Sequence, residues 1–240
     1  MITPIARQWM TDAMQPATWM TLTVLAYVLA IELQRLCKAT PLLNPTLLSI
    51  AAVIAVLLLT RSNYGAYFRA VEPIHLLLGP ATVALGLPLY KQLHVIRANA
   101  MPVMAGVIVG AVIACGSAVA IAWLLGGSPD LLLSLAPKSV TAPIAMSISQ
   151  EIGGSPTLTA SLVITTGIIG AVLCRWLFDW VGVKSWPARG LATGIAAHGI
   201  GTGAILATNE VAGAFAGLAI GLTGLFTAIV LPVVASWFPG

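Results

Sequence analysis

The stretch 136–154 reads APKSVTAPIAMSISQEIGG, and in it one lysine, Lys138, stands beside Ser139 and Thr141 between Pro137 and Pro143. A lysine near the start of an apolar segment is expensive to hold unless something pairs with it. Two readings stand side by side. In one, the side chain snorkels from a helix end to the lipid headgroups. In the other, it is a fixed cation for an anionic solute. Pro137 and Pro143 favour the second, because a proline-broken segment frees backbone groups that a polar ligand can satisfy, and amides at a half-helix start attract carboxylates. Ser147 and Ser149 add hydroxyls of a kind that more often bonds back to a carbonyl one turn earlier. Glu151, followed by Gly153 and Gly154, reads as an interfacial loop carboxylate.

A second stretch, RGLATGIAAHGIGTGA at 189–204, places His198 inside a long uncharged run beside Gly199, Gly201 and Gly203. Glycines at that density invite unwinding of a helix. A histidine at membrane depth can bind a carboxylate or exchange a proton near neutral pH; equally, it can be a neutral group bonded across helices. The glycines do not make a dinucleotide loop, since no strand precedes them and no acidic residue closes a βαβ unit. An intramembrane serine protease is also excluded, because no serine stands in a GxSG setting to act as nucleophile. Cys37, Cys115 and Cys174 are odd in number and far apart, and read as small packing residues. No catalytic residue, metal site or cofactor is expected.

The elements that must position these residues are membrane helices. Of 240 residues, 59% are hydrophobic and only 8% charged, and the mean hydropathy is +0.99. A soluble domain could not cover its surface with that composition. Uncharged stretches recur at 13–31, 39–60, 98–129, 152–174, 190–209 and 211–240, each near the length of about 20 residues that a bilayer crossing needs. Two more, 74–90 and 131–149, are apolar but interrupted by Gly79, Pro80, Gly86 and Pro88 in the first and Pro137, Lys138 and Pro143 in the second; they read as broken or re-entrant. The expected fold is therefore all-α, a polytopic integral membrane protein of about seven to eight hydrophobic segments in one domain over 1–240. Residues 1–15 carry Asp12 and lack the basic-then-apolar order of a cleavable leader. The formal charge of +4 is spread over short loops, which points to anionic lipid headgroups and away from nucleic acid.

An offset of 111 residues, without gaps, superimposes three clusters: Asn44 to Leu47 on Ser155 to Leu158, Gly79, Ala81 and Thr82 on Gly190, Ala192 and Thr193, and Ala105, Gly106 and Gly110 on Ala216, Gly217 and Gly221. That is the pattern of an internal duplication, with candidate copies 18–125 and 131–237, as in carriers that bind solute between their halves. If all four segments of a copy cross, the copies are parallel; a re-entrant third segment leaves three crossings and inverts the second copy. Lys and Arg occupy nearly every early and middle loop, so they do not choose an orientation. Gly213, Gly217 and Gly221, four residues apart, read as a ridge for helix packing or for contact between copies in a homo-oligomer.

These two stretches, with LNPTLLSI at 43–50 and LLGPATVALGLPLY at 77–90, resemble the LrgB/CidB family over nearly the whole chain. The resemblance implies a multi-pass protein of the bacterial inner membrane, usually encoded beside a smaller LrgA/CidA-type partner. Such a partner is fused to the LrgB-like part in the similar plant plastid glycolate/glycerate translocator, and this chain lacks that region. Members are described both as carriers of small monocarboxylates (pyruvate, glycolate, glycerate) and as antiholin-like or holin-like modulators of murein hydrolase activity and lysis. A protein that need only permeabilise has little reason to keep a lysine, broken segments and a glycine-flanked histidine at depth, which favours the carrier. The expected site then has Lys138 for charge, Ser139 and Thr141 for hydroxyls, and His198, Gly199, Gly201 and Thr202 on a facing broken segment, with Asn44, Thr46, Thr82 and Thr157 behind them.

Overall fold

In the computed structural model the described residues are 16–37, 43–77, 80 and 86–237. Thr82, the leader reading of residues 1–15 and part of the interrupted stretch 74–90 lie outside them. The described residues are helical, without strands, and the chain divides into two compact units, Met1–Ala84 and Leu85–Gly240.

The first unit holds α1 (Pro16–Leu36), α2 (Pro45–Thr60), α3 (Tyr64–Ala70) and α4 (Glu72–Leu76). Helix α2 starts where Asn44 Oδ1 accepts from the amides of Thr46 (2.9 Å) and Leu47 (3.2 Å), with Pro45 at the first helical position, where its missing N–H costs nothing. It ends at Arg61 in the left-handed region, φ 51. Asn63 caps α3 the same way. Helix α3 packs on α1, through an edge-to-face contact of Trp19 and Tyr67 at 5.3 Å and a 3.1 Å hydrogen bond between Thr23 and Tyr67 hydroxyls.

The second unit holds α5 (Gly86–Lys91), α6 (Leu93–Ala98), α7 (Ala100–Leu124), α8 (Pro129–Leu135), α9 (Ala142–Glu151), α10 (Pro156–Val181), α11 (Trp186–Leu206) and α12 (Glu210–Ala235). Among the described residues, four helices are long and apolar enough to cross a membrane: α1, α7, α10 and α12. At 1.5 Å per residue a 26-residue helix such as α10 or α12 spans about 39 Å, more than the hydrocarbon core. Their outward faces are apolar and bare, with Ile121 58%, Leu225 62% and Ile229 60% exposed, a surface that only lipid or another protein can cover. Helix α2 is apolar but shorter, and the other apolar stretches of this unit are built as short or folded-back helices.

Helix α11 is one of these. Gly190, in its second turn, and Leu206, its end, are 16 residues apart, about 24 Å in a straight helix. Yet Gly190 lies against the backbone of Ala212, and Leu206 lies against Gly213. Both ends thus meet the first turns of α12, so α11 must double back between them. The reversal is at His198, whose backbone leaves the helical region (φ 38, ψ −133). Past it, Gly201 comes back against Ala197 and Thr193, about four and eight residues earlier in the chain. The expected unwinding occurs, but on the histidine and not on one of the glycines beside it.

The arms of α11 can approach this closely because the small residues are on the right faces. Gly190 and Gly194 present no side chain to the carbonyls of Ala212 and Ala216 on α12, and Gly170 of α10 leaves room for Ala197. Val107 of α7, Ile195 of α11 and Ala219 of α12 pack as a buried cluster, as do Ile96, Val103 and Phe215. The expected ridge on α12 is divided between environments. Gly213 is buried against Leu206, whereas Gly221 faces open space. The close helix approach is made instead from the α11 side.

Candidate solute-binding site

The second interrupted stretch is built as α8, a turn at 136–141, and α9. Ser128 caps α8 by accepting from the Leu131 amide (3.3 Å). The turn is held by two bonds along its own backbone, Lys138 N to Leu135 O (3.1 Å) and Val140 N to Pro137 O (3.2 Å). Thr141 then runs extended (φ −64, ψ 148) into α9 and makes no side-chain cap. The first-turn amides of α9 are therefore left without the usual hydroxyl acceptor, and they point the positive end of a ten-residue helix toward the turn that carries Lys138.

The lower end of this hairpin is knotted to α10. The Thr159 hydroxyl donates to Ser134 O (2.9 Å) and lies 2.7 Å from Ser149 Oγ, while Ser134 Oγ accepts from the Ser155 amide (2.8 Å). Ser134, Ser149 and Thr159 are fully buried. Gly154 sits so close that an added Cβ would stand 2.6 Å from Ser149 Oγ and 2.8 Å from Ser134 N. Val140, Ala145 and Ile148 pack on Val163 of α10. The hairpin is thus anchored on both its polar and apolar sides, and its turn is carried at a fixed position.

That turn lines an open cavity of about 510 Å³ between α7 and α11. Lys138 and Ser139, with Ser117 of α7, are the polar residues of its lining. The rest is apolar: Gly106, Gly110, Ile113 and Ala114 on α7, Leu191, Ala192, Ile195 and Ala196 on α11. The space exists because α7 has glycine where it faces α11; a Cβ on Gly106 would stand 2.8 Å from Leu191, and one on Gly110 3.0 Å from Ile195. Ser139 Oγ is buried and has no hydrogen-bond partner. The ion pairs among the described residues are Glu32 with Arg35, Lys91 with Glu210, and Asp179 with Arg189, so Lys138 has no carboxylate partner among them. A half-buried ammonium and a buried hydroxyl, both unsatisfied and both facing one cavity, are costly to hold empty and are what an anion with a hydrogen-bonding oxygen would satisfy.

His198 stands behind this cavity and not in its wall. The residue is 4% exposed and its ring is held by a 2.9 Å bond to Val163 O; since a carbonyl only accepts, Nε2 carries the proton and donates. Gly167 makes the room, because a Cβ there would stand 2.6 Å from the ring. Lys138 lies within electrostatic range of His198 and of Cys115. Thr202, past the reversal, is buried with its hydroxyl unpartnered, as is Thr223 on α12.

The sequence-derived residues fall into distinct places. Lys138 and Ser139 share the cavity, with Thr141 at the start of α9 beside them. His198, Gly201 and Thr202 belong to the packed interior of the folded-back α11, while Gly199 faces open space. Asn44 is engaged as the cap of α2, with Thr46 in its first turn; both are in the first unit. Thr157 is exposed in the first turn of α10. Sequence reasoning missed the Ser134–Thr159 pair, Gly167 and Gly170, and the cavity role of Gly106, Gly110 and Ser117. Glycines three apart on α10 and four apart on α7 were the available signal. Among the described residues no group of three or more His, Cys, Asp or Glu is placed to hold a metal ion.

Residues 23–237 match the model of the LrgB-like family. The chain is 33% identical over 213 residues to a protein of Haemophilus influenzae, covering 89% of this chain and 92% of the relative. It is 34% identical over 217 residues to YxaC of Bacillus subtilis, covering 90% and 94%. It is 32% identical over 229 residues to the holin-like protein CidB of Staphylococcus aureus, covering 95% and 100%. No solved structure matches the chain. With four membrane-length helices and a match across nearly its full length, this multi-pass bacterial membrane protein belongs to the LrgB-like family.

Proposed function

We propose that this chain controls the passage of small solutes across the bacterial membrane. In its broad form this is the reading that kinship supports. Relatives matched along their whole length are named holin-like proteins, and those names favour a holin-like or antiholin-like role, acting on permeability and lysis, over a carrier of any particular substrate.

The sharper form rests on one observation, the unpaired Lys138 and Ser139 in the lining of a cavity between α7 and α11. A holin-like pore has no use for a positioned and unsatisfied anion site. A carrier of small monocarboxylates does, and two folded-back segments that both pack on Val163 of α10 are the kind of arrangement in which such carriers hold their solute. The carboxylate would sit on Lys138, with Ser139 and the first amides of α9 donating to it. The 111-residue offset, which also relates the helix starts at Pro45 and Pro156, supports a duplicated body whose parts move around the site. An LrgA/CidA-type protein and further copies of the chain are the proposed partners.

The test is uptake of labelled pyruvate and glycolate into proteoliposomes, run beside leakage of a trapped dye, with and without the LrgA/CidA-type partner and a pH gradient. Saturable uptake lost in Lys138→Ala, without dye leakage, establishes the carrier. Dye leakage without saturable uptake in every condition establishes the holin-like reading and removes the carrier.

A further inference from the structure

We infer that the second unit sits in the membrane one way round: the end formed by the starts of α7, α11 and α12 lies against the anionic headgroups of the cytoplasmic leaflet, and the α8–α9 hairpin enters from outside. Along the sequence the basic residues of this unit are scattered over successive loops and show no sidedness. The fold sorts them. Ile96 of α6, Val103 of α7 and Phe215 of α12 pack together, Lys91 of α5 pairs with Glu210 of α12 at 3.0 Å, Gly106 of α7 meets Leu191 of α11, and Arg189 at the start of α11 pairs with Asp179 at the end of α10. These contacts gather Lys91, Arg97, Arg175, Lys184 and Arg189 at one end, with Asp179 and Glu210, which leaves a surplus of three positive charges. Helix α7 runs 25 residues away from that end, about 37 Å, and α8 begins a few residues after it stops. At this opposite end, where α10 also starts, the charges among the described residues are Asp130 and Glu151, both exposed, with no lysine or arginine.

The two folded-back segments belong to opposite ends. The arms of α11 lie on the first half of α12, at Ala212, Gly213 and Ala216. Helix α9 lies on its second half, with Ile144 against Gly224 and Leu231 on the cluster of Val140, Ala145 and Ile148. Exposed Trp176, Trp180 and Trp186 at the cationic end, and Trp123 and Trp237 at the other, are placed as interfacial anchors on both sides. Lysine and arginine are retained on the cytoplasmic side of membrane proteins, and each cation near an anionic leaflet favours that placement by roughly fivefold. The hairpin that carries Lys138 is then rooted on the outer side and the loop that carries His198 on the cytoplasmic side. This holds for a carrier and for a holin-like protein alike, since both must be inserted.

The experiment labels single cysteines with a membrane-impermeant maleimide, in spheroplasts and in inside-out vesicles, on the full chain with Cys37, Cys115 and Cys174 replaced by serine. His94→Cys and Ser185→Cys probe the cationic end, and Gln150→Cys and Thr157→Cys the other; all four positions are exposed. The expected result is labelling of the first pair confined to inside-out vesicles and of the second pair confined to spheroplasts. The reverse pattern overturns the orientation. Both pairs on one side, or each pair on both sides, overturns the separation of the two ends, as does labelling of none by thiols that react once detergent dissolves the membrane. A second arm tests the charge itself: Lys91→Gln, Arg97→Gln and Lys184→Gln, combined with Asp130→Lys and Glu151→Lys, should bring part of the Ser185→Cys labelling into spheroplasts. An orientation unmoved by that exchange, in a chain that stays monodisperse in detergent, overturns the role of the anionic leaflet.

Discussion

The second unit contains two segments that turn back on themselves, and they are built in opposite ways. The α8–α9 hairpin is tied at its base, by Thr159 on Ser134 and Ser149, and leaves its turn polar and unsatisfied at Lys138 and Ser139. The folded-back α11 is tied at its tip, where His198 bonds Val163, and its two arms are buried against α12 through Gly190, Gly194 and Gly213. One loop is held so that its end can meet something else. The other has already used its end for holding. The difference teaches that the presence of a titratable residue in a broken segment does not make it a ligand; what decides is whether its polar atoms are already engaged.

That contrast can be broken most severely in the α11 arms. Gly194→Val would drive a side chain into the Ala216 carbonyl, which is backbone and cannot step aside, so a loss of more than about 3 kcal/mol is expected, seen as loss of monodisperse protein in detergent. Gly203→Ala, with open space around it, should be neutral or gain a few tenths of a kcal/mol, because alanine is the better helix former. Equal damage from both would mean the arms do not pack as described. Next in size is Thr159→Val, which removes the hydroxyl shared by Ser134 and Ser149 and strands buried polar groups, at about 2 kcal/mol by thermal unfolding. Uptake should fall with it, since the Lys138 turn loses its anchor; unchanged stability would mean the base of the hairpin is not what fixes it.

Lys138→Gln should act on the other side of the contrast. Carboxylate uptake is expected to fall about tenfold or more, the size of one charge-assisted contact, while the thermal midpoint stays level or rises because an unpaired cation has left an apolar wall. A fall in the midpoint comparable to that of Thr159→Val would mean that the lysine is structural.

How much of this was legible in the sequence follows from what sequence patterns encode. Composition and uncharged runs report burial in lipid, so the all-helical, multi-pass character was readable directly. Pro137 and Pro143 forbid a continuous helix by covalent structure, so the break around Lys138 was readable as well. The density of glycine around His198 told that a helix would open there, but glycine tolerance is permissive and does not choose the residue that turns; a tertiary bond to Val163 chose the histidine. Glycine spacing on α12 named a stripe, but spacing does not say which neighbour will face it, and the close approach came from α11. The Ser134, Ser149 and Thr159 knot joins residues 10 and 25 apart along the chain, and no local pattern carries such a pairing.

The smallest expected effect is the sharpest test of the α11 tip. In an ordinary helix, alanine is more stabilising than glycine by roughly 1 kcal/mol, because glycine has more freedom to lose. At φ 38 and ψ −133 the order should invert, since a Cβ in that region of backbone space is strained by about 1–3 kcal/mol and glycine escapes the strain. His198→Gly and His198→Ala lose the same ring, the same bond to Val163 and nearly the same packing, so their difference isolates the backbone. The glycine variant is expected to be the more stable of the two by about 1 kcal/mol in thermal unfolding. Alanine equal to or above glycine would mean the chain does not reverse at this residue, and the two loops would then no longer be opposites: His198 would stand in a continuous helix, with its bond to α10 a simple interhelical contact and no strain for that bond to offset.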